Sequence, residues 1–268
     1  MKKTCPFNYA GSKSVYAELF DIEQPVADLF GGGGGFWSNV KSNDVLVNDV
    51  CSPLVRFQKK IYESSDEEFE SIISAIRTTT DSVRTKDDYE KLRHLFNQSK
   101  DDVLFMCVLS CCTNNLIRFN LSGKFNQTWG QRMFNSSMET KLRDFRMRIK
   151  NKKVEFHTGD FEKTDTTGRI LFVDPPYLIS SAGYNTSWTM ADEKRLYKFL
   201  NGKDFILTNF LFRGDVRNTI LERFIKESNL FVSIIKEGHM KAQKDNSTFQ
   251  EVAVSNLPFD WETERRQG

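Results

Sequence analysis

The strongest constraint on the fold is an apolar run, Ile170–Val173, that is followed at once by an acid, two prolines and a tyrosine. Four consecutive apolar residues bounded by turn residues predict a buried strand. Because proline has no backbone N–H and cannot continue a sheet ladder, the strand has to end at Asp174, and Pro175 and Pro176 predict a stiff loop after it. The sequence therefore predicts a buried strand that presents a carboxylate at its end.

The residues after this strand suit a small planar amine. The Asp174 carboxylate and the Pro175 carbonyl both accept hydrogen bonds, and Tyr177 offers a flat face to a planar ring. The exocyclic amino group of a nucleobase combines such donors with such a ring. An alternative is purely structural: a proline turn that ends the strand, with Tyr177 packed inward.

Strand and helix patterns alternate on either side of a long helical block. Within the block, apolar residues recur at three-to-four spacing from Pro53 to about Gln98. We predict an apolar helix at Val103–Cys111 and a further helix at Glu139–Lys150. Outside it we predict strands at Val26–Phe30, Val45–Val47, Val154–Phe156, Phe205–Thr208, Leu230–Ile235 and Glu251–Ser255. We predict helices there at Ser14–Phe20, Met190–Leu200 and Asn218–Ser228. The pattern indicates an α/β fold with a mainly helical insertion near residues 54–152.

A glycine run and a downstream acid predict a nucleotide-type site. Gly31–Gly35 follows the first predicted strand directly after Phe30, and Asp49 ends the next strand, eighteen residues beyond Gly31. In open α/β folds, ligands collect at the carboxyl edge of the sheet, and an acid at this spacing meets a ribose. The run lacks the spaced dinucleotide fingerprint, so a flexible surface loop is the alternative.

Charge and cysteine usage set weaker limits. The net charge of +2 does not by itself indicate a nucleic-acid binder, so local clusters have to supply that argument. Residues 113–132 are rich in amides, arginines and aromatics, and Ser122-Gly123 predicts a hairpin-like turn within them. The five cysteines show no C-x-x-C spacing, which disfavours a structural zinc site. The polar start of the chain and the lack of a long apolar run predict an intracellular, cytoplasmic protein.

Several of these motifs occur together in the order found in one enzyme family. They are Asn8-Tyr9-Ala10-Gly11-Ser12-Lys13, Asp28-Leu29-Phe30-Gly31-Gly32-Gly33-Gly34, Asn48-Asp49, Asn115-Leu116-Ile117-Arg118-Phe119-Asn120, Gly123-Lys124-Phe125-Asn126 and Asp174-Pro175-Pro176-Tyr177. In this combination the chain resembles the Dam-type DNA adenine-N6 methyltransferases, most closely the Dam enzymes of T-even bacteriophages. The resemblance extends from residue 7 to Asn256.

The resemblance implies a fold and a reaction. The implied fold is a Rossmann-like class I methyltransferase sheet of seven strands. It assigns residues 1–53 plus 153–268 to a catalytic domain that binds S-adenosylmethionine, and residues 54–152 to a helical target-recognition domain with a β-hairpin. The implied reaction methylates N6 of an adenine that is flipped out of duplex DNA, within GATC and without a metal ion. We further expect a monomer or weak dimer on DNA, in a bacterial or phage-infected cell, with restriction-modification as one setting.

The resemblance also assigns roles to individual residues. The implied catalytic residues are Asp174, Pro175 and Tyr177. The implied cofactor-binding residues are Tyr9, Lys13, Phe30, Gly32, Gly34, Asp49, Asp160, Phe161 and Asp174. The implied DNA-binding residues are Asn8, Leu116, Arg118, Asn120, Thr128, Arg132 and Tyr184.

Two departures from the family pattern bear on target choice. Thr113 stands where related enzymes place an aromatic wedge, and Thr128 replaces a proline. Two other functions stay open at this point. One is a methyltransferase acting on RNA or on a protein amide, because related loops hold any planar amine. The other is a catalytically silent DNA-binding module.

Overall fold

A computed structural model describes residues 5, 13–179, 188–239 and 248–258 of the chain. Within it the chain divides into two compact units, residues 1–23 with 31–159 and residues 24–30 with 160–268. Each unit is described by itself below. The predicted roles of Asn8, Tyr9 and Tyr184 lie outside the described residues. The catalytic and target-recognition domains that the resemblance implies are defined by function, so the two compact units do not test them. They stay a prediction.

The described helices and strands follow the predicted alternation. The helices are α1 Tyr16–Leu19, α2 Ser52–Glu63, α3 Asp66–Asp81, α4 Lys86–Ser99, α5 Asp102–Cys111, α6 Ser136–Ile149, α7 Met190–Leu200 and α8 Thr219–Ser228. The strands are β1 Val26–Asp28, β2 Asp44–Asp49, β3 Lys153–Thr158, β4 Ile170–Val173, β5 Phe205–Arg213, β6 Val216–Arg217, β7 Phe231–His239 and β8 Thr248–Ser255. The predicted α/β class is confirmed, with mostly parallel strands.

The first unit is mainly helical. Helices α2, α3 and α4 all pack against α5, whose residues from Phe105 to Cys111 are buried because the helix has no polar face. α3 and α4 begin with capping boxes, Ser65 with Glu68 and Thr85 with Asp88, which satisfy amides that have no partner inside the helix. Strands β2 and β3 pair in parallel within this unit.

The second unit carries the predicted Ile170–Val173 strand at its bounds as β4. Its strands follow the order β1-β4-β5-β8-β7, in which β1, β4 and β5 run parallel. β8 is antiparallel to both of its neighbours. β5 extends to Arg213, well beyond the predicted Thr208, because β8 pairs with it as far as Arg213 and Phe249. The additional length of β5 therefore depends on pairing with a strand that is distant in the sequence, and the residues of β5 alone do not predict it.

The predicted hairpin-like loop folds back on itself without a continuous strand ladder. Isolated antiparallel bridges join Cys112 to Trp129 and Phe119 to Phe125. Phe125 is buried and lies against the rings of Phe96 and Phe105. The loop is thereby anchored on the helical core of the first unit. In the part of the chain that the structure describes, no helix has the length and apolar character needed to cross a bilayer.

A substitution at Gly31 tests the packing of the glycine run. A Cβ there would lie 2.2 Å from Val47 Cγ2, so Gly31→Ala is expected to lower the free energy of unfolding by about 1–3 kcal/mol through overpacking. Val47→Ala removes the clashing methyl, so the double variant should lose less than the sum of the single losses. Urea unfolding of all four proteins measures this coupling. Additive losses would contradict the proposed contact.

Candidate active site

The carboxylate at the end of β4 is held by two hydroxyl groups of the second unit. Asp174 Oδ1 accepts hydrogen bonds from Tyr177 Oη at 2.8 Å and from Thr208 Oγ1 at 2.7 Å. Thr208 is brought there by strand register, because Val173 pairs with Leu207 and the parallel strands continue by one residue on each side. The two bonds hold one oxygen of the carboxylate in place.

Tyr177 joins this carboxylate to a second one. Its hydroxyl lies 2.7 Å from Glu251 Oε1, and its ring packs edge-on against Phe210 with centroids 4.8 Å apart. Burial raises the pKa of Tyr177 well above its ordinary value, and the charges of Asp174 and Glu251 act in the same direction. The tyrosine therefore stays protonated. Its ring is 8% exposed, so it packs inward as the structural alternative predicted, while stacking on a base stays a prediction.

Thr208 and Glu251 were not among the predicted site residues. Glu251 carried a signal, since it is an acid that opens the apolar strand segment Glu251–Ser255. It is 6% exposed, and acids are rarely buried without partners. Thr208 carried no such signal, because a threonine at the end of an apolar strand is common.

Three aromatic rings of the second unit form a separate cluster. Phe30 follows β1, and its ring centroid lies 5.6 Å from that of Phe161 and 5.7 Å from that of Trp188. The guanidinium of Arg195 lies 4.8 Å from the centroid of Phe161. The two predicted cofactor residues Phe30 and Phe161 are thus together, and Trp188 and Arg195 are additions that sequence reasoning missed.

Asp160 is tied to the same cluster. Its Oδ2 accepts a hydrogen bond from Arg195 Nη1 at 2.7 Å, and its Oδ1 caps the short turn Phe161–Lys163 by accepting from the Glu162 amide. Burial by itself would raise the pKa of Asp160, but the bonds from Arg195 and Glu162 outweigh it and lower the pKa. Asp160 is therefore a carboxylate that orients Arg195 over the Phe161 ring.

A buried acid holds Trp188 in place. Glu193 is fully buried, and its Oε2 accepts the Trp188 indole N–H at 2.8 Å. Its Oε1 accepts from Tyr197, Asn209 and Asn218. A buried carboxylate with this many donors is stable, and the network fixes the orientation of the tryptophan.

In the first unit, the glycine run and the predicted ribose acid meet. The Gly32 amide donates to Asp49 Oδ2 at 2.8 Å, and the Cys51 amide donates to Asp49 Oδ1 at 2.8 Å. Burial raises the pKa of Asp49, although the two amides act in the opposite direction. Gln58 donates to the Gly32 carbonyl at 2.8 Å, which secures the turn. Gly32 has a φ of 46°, a conformation that favours glycine.

Two other glycines of the run are explained by packing within the protein. A Cβ on Gly31 would strike Val47, and Gly34, with a φ of 79°, lies against Phe145 and Trp37. These two positions therefore do not by themselves indicate a ligand. The Gly32–Asp49 contact is the more informative feature. Lys13, the predicted partner of a cofactor carboxylate, is 6% exposed.

The predicted recognition loop places Arg118 on its exposed surface. Arg118 Nε and Nη2 donate to the side chain and backbone oxygens of Asn126, at 3.0 and 2.8 Å. Asn120 builds the turn instead, because its Oδ1 accepts from the amides of Ser122 and Lys124. The loop therefore presents a guanidinium in a fixed orientation. Leu116, two residues earlier in the loop, is partly exposed.

The two departures from the family pattern contact each other. Thr113 Oγ1 lies 3.0 Å from Thr128 Oγ1, and it also lies within hydrogen-bond distance of the carbonyls of Thr128 and Trp129. The Thr113 side chain therefore closes the base of the loop. A threonine in this role is not a wedge that projects from the surface.

Arg132 lines a small cavity at the start of α6. Its Nη1 reaches Asn115 Oδ1 at 3.4 Å, and Lys141 also lines the cavity. Other cations in α6 and at its C-terminal end are committed to contacts within the unit: Arg143 pairs with Glu70 and Glu139, and Lys150 donates to the Ser64 carbonyl. The basic helix is thus partly neutralised by the protein itself.

Comparison with known proteins places the chain among methyltransferases. A family model described as "D12 class N6 adenine-specific DNA methyltransferase" matches residues 9–249. Modification methylase LlaI of Lactococcus lactis subsp. lactis is 26% identical over 276 residues, which cover 94% of this chain and 43% of that protein. Type II methyltransferase M.FokI of Planomicrobium okeanokoites is 25% identical over 284 residues, covering 94% of this chain and 42% of that protein.

A shorter relative matches over most of its own length. DNA adenine methylase of Escherichia coli (strain K12) is 26% identical over 221 residues, which cover 75% of this chain and 77% of that protein. By contrast, the chain spans about two-fifths of the length of LlaI and M.FokI.

Removal of the buried Glu193 carboxylate tests the network around Trp188. Glu193→Ala leaves several buried donors without an acceptor, so the free energy of unfolding should fall by about 2–4 kcal/mol. Glu227→Ala removes an exposed acid from α8 and serves as the control, with a change within about 0.5 kcal/mol. Urea unfolding measures both. A small loss at Glu193 would mean that the carboxylate does not satisfy these donors.

Proposed function

The chain belongs to the D12 class of N6 adenine-specific DNA methyltransferases, and from that premise we propose the reaction that it catalyses. It transfers a methyl group from S-adenosylmethionine to the N6 nitrogen of an adenine flipped out of duplex DNA, within GATC. The observation that carries the proposal is the Asp174 carboxylate at the end of β4, with one oxygen held by Tyr177 and Thr208. That arrangement directs a hydrogen-bond acceptor at a planar amine.

Asp174 and Pro175 activate the acceptor nitrogen in this proposal. The lone pair of adenine N6 is delocalised into the ring, which makes the nitrogen a weak nucleophile. Since Asp174 Oδ1 already accepts two hydroxyl bonds, we assign Oδ2 to one N6 hydrogen and the Pro175 carbonyl to the other. Two acceptors on the amino group favour a pyramidal, electron-rich nitrogen. Asp174 acts as an orienting acceptor and need not be a general base.

S-adenosylmethionine supplies an electrophilic methyl group on a positively charged sulfur. As the nitrogen–carbon bond forms, the sulfur–carbon bond would break and its electron pair would stay on sulfur as a neutral thioether. The proton that the methylated N6 gives up would pass to solvent water. No step requires a metal ion.

The residues that the resemblance assigns to this cofactor are matched to its parts one by one. Asp49 is assigned to the ribose hydroxyls, because each of its oxygens accepts one amide and retains a further lone pair. Phe30 and Phe161, whose rings contact each other with centroids 5.6 Å apart, are assigned to the adenine ring because they offer it an aromatic surface. Lys13 is assigned to the methionine carboxylate. The resemblance assigns Tyr9, like Lys13, to the methionine part of the cofactor. It also assigns Gly32 and Gly34 to cofactor contacts.

The target base has to leave the duplex, because its amino group is engaged in base pairing there. Stacking on Tyr177 would offset part of the unstacking cost. The resemblance adds Asn8 and Tyr184 to the DNA contacts around this base. In the structure the Tyr177 side chain is largely buried, and its ring is in edge-on contact with Phe210.

Recognition of GATC is assigned to the loop of the first unit. Arg118 suits a guanine edge, because a guanidinium docked on Asn126 is oriented before DNA binds. Leu116 and the Thr128 methyl suit thymine methyl groups, and Asn120 shapes the turn that carries them. Arg132 is assigned to DNA on the resemblance alone. We propose GATC as the target sequence and the T-even phage enzymes as the most similar group within the family.

The proposed reaction is tested by product analysis. The protein is incubated with tritiated S-adenosylmethionine and a GATC duplex, and the DNA is digested to nucleosides. The expected product is N6-methyladenine, with little transfer to a duplex of scrambled sequence, to RNA or to protein. Labelled cytosine, or transfer only to RNA or protein, would overturn the proposal.

Substitution of Asp174 separates the acceptor role from cofactor binding. Asp174→Ala should reduce transfer by at least about 100-fold, because N6 loses an oriented acceptor. The dissociation constant for S-adenosylmethionine, measured by calorimetry, should stay within about tenfold. Asp215→Ala, an exposed acid between β5 and β6, is the control. Complete loss of cofactor binding would place Asp174 in the donor site instead.

Substitution of Arg118 tests base recognition. Arg118→Ala should reduce the preference for cognate over noncognate duplex by about 1–3 kcal/mol, the value of a bidentate contact with guanine. Lys124→Ala removes an exposed cation from the same loop and should weaken binding to both duplexes by the same factor. Binding titrations at one fixed salt concentration compare the variants. Equal losses for Arg118→Ala on both duplexes would identify a phosphate contact.

A further inference from the structure

The tip of the loop 113–132 carries the most exposed large apolar side chain among the residues that the structure describes. Leu121 is fully exposed, whereas the other exposed side chains of this kind in the described residues are at most 73% exposed. A single exposed leucine on a protein surface is common and by itself indicates nothing. The meaning of Leu121 therefore depends on the turn that carries it and on the charges beside it.

The turn at the tip is held by several hydrogen bonds. The Gly123 amide donates to the Asn120 carbonyl at 2.9 Å, which closes a β-turn with Leu121 at its first corner. The Asn120 amide donates to the Lys124 carbonyl at 2.9 Å, and Asn120 Oδ1 accepts from the amides of Ser122 and Lys124. Gly123 has a φ of 69°, a conformation that favours glycine. Leu121 is therefore held at the tip with its side chain in solvent.

The stem below the turn is anchored on the helical core of the first unit. Asn97 of α4 donates to the Phe125 carbonyl at 2.9 Å and accepts from the Phe125 amide at 2.8 Å. The Phe119 ring lies edge-on to the Phe125 ring, with centroids 5.5 Å apart, and the Asn126 amide donates to the Arg118 carbonyl at 3.1 Å. Since these contacts form within the protein itself, the loop does not have to be ordered when it binds a partner.

The charge of the loop suits a nucleic acid. Residues 113–132 contain three basic residues, Arg118, Lys124 and Arg132, and no acidic residue. Arg118 and Lys124 are both exposed, and they lie three residues before and three residues after Leu121. Duplex DNA has charged phosphates outside and an apolar stack of bases inside. An exposed leucine flanked by exposed cations matches that pattern, because the cations suit phosphates and polar base edges while the leucine suits the stack.

We propose that Leu121 is an apolar wedge that inserts between stacked base pairs beside the sequence read by Arg118. Insertion of an apolar side chain partly unstacks a base step, so it lowers the cost of extruding the target adenine. This inference rests on the proposed DNA methylation. Thr113 does not serve in this way, because its side chain is bonded to Thr128 and Trp129 at the base of the loop.

Shortening Leu121 tests the wedge through its dependence on base pairing. Two GATC duplexes are compared, one fully paired and one in which the target adenine faces an abasic site and is easier to extrude. In both, the other strand carries N6-methyladenine, so that one adenine accepts the methyl group. Leu121→Ala should lower the single-turnover transfer rate about 10-fold on the paired duplex and less than about threefold on the other. The KM for S-adenosylmethionine should be little changed.

Two further variants control for side-chain chemistry and for position. Leu121→Met keeps an apolar side chain of similar length and should retain at least about half of the transfer rate on the paired duplex. Leu95→Ala shortens another exposed leucine of the first unit, on α4, and should behave like the unmodified protein on both duplexes.

The fluorescence of 2-aminopurine locates the insertion, because this base becomes brighter when it loses its neighbours in the stack. The probe is placed in turn at each position that flanks the target adenine. The unmodified protein should raise the fluorescence at one of these positions, and Leu121→Ala should lose most of that rise while Leu121→Met keeps it.

The outcomes separate the wedge from the proposed function. Equal losses of transfer by Leu121→Ala on both duplexes, no loss on either, or a fluorescence rise that survives the substitution would each overturn the wedge. Absence of transfer by the unmodified protein would instead refute the proposed function, and the fluorescence comparison would still test the wedge.

Discussion

The arrangement around Asp174 depends on the parallel pairing of β4 with β5. Parallel strands end at the same edge of a sheet, so the residues just beyond the Val173–Leu207 pair become neighbours. The prolines after Asp174 end β4 at that point, while β5 continues and carries Thr208 past the carboxylate. β8 then adds Glu251 from the other side of β5. One acid at a strand end thereby acquires two hydroxyl partners and a second acid.

A similar principle acts in the first unit, where a strand end meets a turn. Asp49 ends β2, and its two oxygens accept the amides of Gly32 and Cys51. The contact links residues that are seventeen positions apart in the chain. The carboxylates of Asp49 and Asp174 are therefore both held by hydrogen-bond donors of the protein itself, before a ligand binds. Preorganisation of this kind lowers the cost of orienting a substrate during the reaction.

Much of this could be predicted from the sequence, because strand ends and turns leave local signals. The bounds of β4 and α7 follow from patterns within short segments. Phe30 and Phe161 were assigned to one site by the family resemblance, and no local pattern predicts their contact. Thr208, Glu251 and Glu193 were missed because their roles depend on strand register and on partners far along the chain. Gly31 and Gly34 are also explained by contacts within the protein, with Val47 and Phe145, so these two positions alone do not distinguish packing from ligand binding. The contact between Thr113 and Thr128 likewise could not be predicted from the sequence, because it forms only when the loop folds back on itself.

The most direct measurement is a crystal structure with a GATC duplex and a nonreactive analogue of S-adenosylmethionine. The account predicts adenine N6 within about 3 Å of both Asp174 Oδ2 and the Pro175 carbonyl, while Oδ1 keeps its bonds from Tyr177 and Thr208. A structure with N6 beyond hydrogen-bond reach of Asp174 would contradict the account. So would one in which N6 displaces Tyr177 and Thr208 from Oδ1.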